Sequence, residues 1–108
     1  MKAIAAARLR ELLHYDPATG VFTRLVKTSN SVKVGDVAGT VNARGYIQIR
    51  VDGVPYNAHR LAFLWMTGAW PPHQVDHING VRSDNRFANL RPATSAQNQQ
   101  NQRRAHTD

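Results

Sequence analysis

A chain of 108 residues with 42% hydrophobic residues can fill one modest core and not two, and without Cys it has neither disulfide staples nor thiolate zinc sites. Its 14 Lys and Arg against 7 Asp and Glu give a formal charge of +7, and most of the basic residues are Arg, whose planar fork pairs with phosphate oxygens. A small domain this basic is expected to meet a polyanion, nucleic acid first. Only five apolar residues separate Lys2 from Arg8, too few for a signal-peptide core, and no run approaches a membrane span; a cytoplasmic protein with no membrane partner is expected.

Ala3 to His14 reads as a helix, with Ala5, Leu9, Leu12 and Leu13 on one face and Arg8, Arg10 and Glu11 off it. Asp16-Pro17-Ala18-Thr19-Gly20 is a turn. Val21 to Leu25 reads as a short strand, and residues 27–33 as a polar loop. From Tyr46 to Val51 the pattern alternates, placing Ile47, Ile49 and Val51 on one face. Asp52-Gly53 signals a two-residue hairpin, and Val54, Tyr56 and Ala58 continue the alternation on the return strand. Pro55 puts that strand at an edge. The outward Gln48 and Arg50 face either DNA or solvent. Arg60 to Thr67 is almost wholly apolar and reads as a buried helix with Phe63 and Trp65 in the core, capped by Gly68 and stopped by Pro71-Pro72. His59, just before it, is either a satisfied structural residue or a phosphate contact.

The next stretch, QVDHINGVRSDNRFANL, is too polar for a core strand or an amphipathic helix. Val75-Asp76-His77-Ile78 reads as a short strand, Asn79-Gly80 as a turn, Asn85 to Asn89 as a loop and Leu90-Arg91 as a return strand. Thr94-Ser95-Ala96-Gln97 fits a capping box that opens a helix with Asn98 in its first turn. That helix has no apolar stripe, so either it frays or something polar anchors its start. Asp84 reads as a loop cap. His73 and His77 have a helical zinc spacing, but the preceding prolines and the strand reading argue against zinc.

Strand, loop, strand and helix within about thirty residues, carrying Asp76-His77, Asn89-Leu90-Arg91 and Thr94-Ser95-x-x-Asn98, resemble the HNH nuclease motif, a ββα-metal fold, in the free-standing form common in phage and mobile-intron homing endonucleases. Tyr15-Asp16-x-x-Thr19-Gly20-Val21-Phe22, Gly45-Tyr46-Ile47 and Ala58-His59-Arg60-Leu61 extend the resemblance over nearly the whole chain. Asn98 stands where the third motif letter is His, as it does in some members.

The resemblance implies one α+β domain over residues 1–108. Residues 1–70 form a helix and hairpin scaffold with DNA contacts, and residues 71–108 form the nuclease motif. It implies a DNA endonuclease in which His77 is the general base, Asn89 holds the His77 loop or ring, and Asp76 and Asn98 bind one divalent metal. The chemistry of the residues agrees. A neutral imidazole accepts a proton near neutral pH. Few protein oxygens suit Mg²⁺ or Mn²⁺, which keep their waters and take substrate phosphate as a ligand. The expected partner is double-stranded DNA, met by Arg50, Arg60, Arg82, Arg86, Arg91, Arg103 and Arg104, with the protein a monomer in a bacterial host. The competing reading is a DNA-binding module whose nuclease site has decayed.

Overall fold

The computed structural model describes residues 3–27 and 30–93. Helix α1 (Ala6–Leu12) buries Leu9 and Leu12 and gives way to strand β1 (Leu13–Asp16), which pairs antiparallel with β2 (Val21–Arg24). The helix expected to reach His14 therefore stops two residues early. Leu13 and Tyr15 are both fully buried. Two buried side chains with an exposed one between them fit the period of a strand and not that of a helix. The turn between β1 and β2 lies where Pro17 and Gly20 place it.

Strand β3 (Thr40–Val41) pairs with β4 (Ile47–Val51), and β4 pairs with β5 (Val54–Asn57), in the order β3-β4-β5. Asp52 and Gly53 both have positive φ, 50° and 79°, the two-residue turn that matches strand twist. β5 carries Pro55 and is an edge, as the sequence predicts, but it ends at Asn57 because Ala58 begins the next helix. Helix α2 (Ala58–Thr67) buries Ala58, His59, Leu61, Ala62 and Leu64, and the Gly68 amide donates to the Leu64 carbonyl. Phe63 and Trp65 are half-buried at the rim of the core, and the Trp65 indole N–H donates to the Leu13 carbonyl. β3 has no apolar pattern to betray it: Val41 is exposed and only two residues pair.

Strands β6 (Gln74–His77) and β7 (Leu90–Ala93) form a third, two-stranded ribbon. Val75 and Leu90 enter the same core as Leu9, Phe22, Ile49 and Leu61, so the ribbon is packed on the scaffold. The helix expected from Thr94, with its capping box, lies outside the described residues. Among those described, no helix is long and apolar enough to cross a membrane.

Candidate nuclease site

The register of the ribbon sets Asp76 opposite Arg91 and His77 opposite Leu90. The pleat turns neighbours to opposite faces. His77 is buried, while the part-exposed Asp76 carboxylate meets Arg91 at 3.5 Å. An ion pair this open contributes roughly 0–1 kcal/mol.

The polar stretch after His77 staples itself. The Ile78 amide donates to the Asn89 carbonyl, and the Asn79 amide donates to the Asn89 side-chain oxygen at 3.0 Å. Asn89 Nδ2 in turn donates to Asn79 Oδ1 at 3.0 Å and to the Asp84 carbonyl at 2.9 Å. Asp84 accepts from Asn79 Nδ2 and from the Arg86 guanidinium, and the Arg86 bonds hold its carboxyl far below the usual range. Asn89 thus clasps the loop and not the ring. The ring has another partner: His77 Nε2 lies 2.8 Å from Asn85 Oδ1, with both residues buried. The side-chain oxygens and nitrogens of this polar segment are its internal fasteners, which is how so polar a run stays folded.

The scaffold closes around the same ring. His59 packs against His77 at 4.9 Å between centroids and stacks on Tyr46 at 5.3 Å, and the Arg82 guanidinium covers Tyr46 at 5.0 Å. Of the two readings of His59, the satisfied structural residue does not hold: among the described residues its buried Nδ1 has no hydrogen-bond partner. Burial lowers its pKa from 6.5 to about 4, helped by His77 and Arg60 and opposed by Asp76. Between those two values the unfolded chain binds a proton that the fold refuses. Stability is therefore full above pH 6.5 and falls by about 3 kcal/mol as pH drops to about 4. Denaturant melts of the parent and His59→Leu across this range check it: the variant is expected to lose much less stability on acidification, and equal losses contradict the assignment.

Of the other basic residues, Arg50 donates to the Gly53 carbonyl, Arg60 to the His73 carbonyl and Arg82 to the Arg44 carbonyl, each through a side chain that reaches the surface. Arg86 is exposed and pairs with Asp84 at 2.7 Å. Asn98, Arg103 and Arg104 lie outside the described residues. Among the described residues no three His, Cys, Asp or Glu gather into a cation cage. Asp76 places one hard carboxylate oxygen donor on the ribbon, and carboxylate oxygens suit hard ions such as Mg²⁺ or Mn²⁺.

In the sequence, Tyr15 and Gly20 stand within the resemblance, Gly20 also in a turn, and Asn85 at the start of a loop, with no role at the site for any of the three. The Tyr15 hydroxyl donates to the Asn85 carbonyl at 2.5 Å. A side chain at Gly20 would overlap the Asn85 and Arg86 backbone. No local signal in the sequence joins residues seventy apart.

Residues 56–100 match the family model described as HNH endonuclease. Over these residues the chain is similar to the HNH endonuclease family. The HNH span begins in β5, takes in α2 with His59, and includes both strands of the ribbon. A solved structure described as DNA binding and cleavage by the HNH homing endonuclease I-HmuI is similar over the whole of this chain, with a TM-score of 0.70 and 23% identity. At that identity the likeness establishes the fold. This chain spans 61% of that one. No curated protein matches it.

Proposed function

We propose that this protein is a metal-dependent DNA endonuclease that hydrolyses phosphodiester bonds in double-stranded DNA, with His77 as general base. The observation that carries the proposal is the β6–β7 ribbon. There, inside the HNH span, a surface carboxylate and a buried, hydrogen-bonded imidazole are consecutive residues. The two side chains lie on opposite faces of the strand, Asp76 part-exposed beside Arg91 and His77 a polar ring placed in the core wall.

In the reaction His77 takes a proton from water as the water oxygen bonds to phosphorus. The bond from phosphorus to the 3′ oxygen breaks, and that oxygen is protonated by solvent. Asn85 and the stacked His59 and Tyr46 keep the imidazole from turning as it takes up charge. Asn89 keeps the loop closed behind it. Asp76, with Asn98, would hold Mg²⁺ or Mn²⁺, which when bound supplies neutralising charge to the phosphate and the leaving oxygen. The surface arginines Arg50, Arg60, Arg82 and Arg91 supply phosphate contacts along the duplex.

Supercoiled plasmid incubated with the protein tests this. Open-circle or linear DNA is expected with Mg²⁺ or Mn²⁺ and none with excess chelator. Plasmid that is bound in a gel shift yet stays supercoiled with either ion would favour the binding-module reading instead.

A further inference from the structure

We infer that Asn85 is the positioning residue of the base: its side-chain oxygen fixes His77 in the tautomer protonated on Nε2 and leaves Nδ1 as the proton acceptor. The inference deepens the nuclease reading and rests on His77 being the base.

An amide oxygen has no proton to give. At 2.8 Å from Nε2, Asn85 Oδ1 accepts, so the ring must donate from that nitrogen. Both residues are more than nine-tenths buried, at 5% and 3% exposure, so water competes poorly for the bond. Asn85 is itself held from outside the ribbon. The Tyr15 hydroxyl bonds its carbonyl, and burial raises the Tyr15 pKa, so that hydroxyl keeps the proton it donates. Gly20 lies so close that a Cβ there would sit 2.7 Å from the Asn85 carbonyl oxygen. The Phe87 amide donates to the Pro17 carbonyl at 3.0 Å, tying the same loop to the same turn. The β1–β2 hairpin is thus a wall that presses Asn85 against the base, while His59 limits the ring's rotation from another side. A second group that fixes the protonated nitrogen of a working histidine is a recurrent need, because the two tautomers present different atoms to the substrate.

The test begins with ¹⁵N-labelled protein, free of DNA and metal, and a long-range ¹H–¹⁵N correlation spectrum of its imidazoles above neutral pH. His77 is expected to show a protonated Nε2 and a bare Nδ1. Asn85→Leu, similar in volume and without an acceptor, is expected to mix the tautomers and lower kcat about 10–100-fold with KM for a duplex unchanged. Asn85→Asp, which keeps an acceptor oxygen, should restore the single tautomer and part of the rate. A parent spectrum with the proton on Nδ1 means that the amide is turned over, and it overturns the inference. Asn85→Leu cleaving at the parent rate overturns the positioning role alone, whereas a parent that never cleaves removes the nuclease reading on which that role rests. If Asn85→Leu does not fold, the parent spectrum and Asn85→Asp still decide the matter.

Discussion

His77→Ala is expected to slow duplex cleavage by roughly 10²–10⁴-fold, the range for loss of a general base, while DNA affinity stays close to that of the parent. The substitution leaves every Arg in place, so the phosphate contacts are untouched. It does remove the donor to the buried Asn85 oxygen and the ring against which His59 packs. An unpartnered buried acceptor costs about 1–3 kcal/mol. The comparison therefore needs both proteins folded, checked by circular dichroism at the assay temperature. Single-turnover cleavage and fluorescence anisotropy on the same labelled duplex separate chemistry from binding. A rate within a few fold of the parent would assign the base elsewhere.

The largest effect on stability is expected at Gly20. Its φ of +78° costs an alanine roughly 1–2 kcal/mol by itself. The added methyl would also overlap the backbone of Asn85 and Arg86, and backbone does not swing aside as a side-chain tip does. The sum is on the order of 4 kcal/mol, in the far tail for a point change. Gly53→Ala is the matched control. Its φ is nearly the same, +79°, and nothing lies within 4 Å of the added carbon. Thermal melts should show Gly20→Ala destabilised by several times as much as Gly53→Ala. Equal losses would mean that the hairpin does not bear on the loop. Since Gly20 backs Asn85, whatever Gly20→Ala protein remains folded should also cleave slowly.

The β4–β5 hairpin was legible because Asp52-Gly53 and the flanking alternation are local signals, and pleat and turn obey local rules. The extent of α1 was not. Leu12 and Leu13 fit a helical face as well as they fit the start of a strand, and only the burial of Tyr15 against Phe22 settles it. Strand β3 was invisible because only two of its residues pair with β4 and both are exposed. At the site, Asp76-His77 and Asn89 could be singled out because their residue types and spacing carry chemistry. Asn85 looked like one more turn amide, and what distinguishes it is a contact with a ring eight residues back and a hydroxyl seventy residues away. His59 reads in the sequence as either a satisfied structural residue or a phosphate contact, and its unpartnered Nδ1 follows from packing between Tyr46 and His77, which no sequence pattern encodes.

A crystal structure of His77→Ala bound to duplex DNA with Mn²⁺, with anomalous data collected for manganese, addresses both metal and substrate at once. The variant should hold the duplex uncut. One anomalous peak is expected on the Asp76 carboxylate at about 2.1 Å, the spacing for a hard six-coordinate ion, touching a backbone phosphate that stands beside position 77. A duplex lying on another face of the protein, or manganese bound away from Asp76, would refute a nuclease centre built on the β6–β7 ribbon.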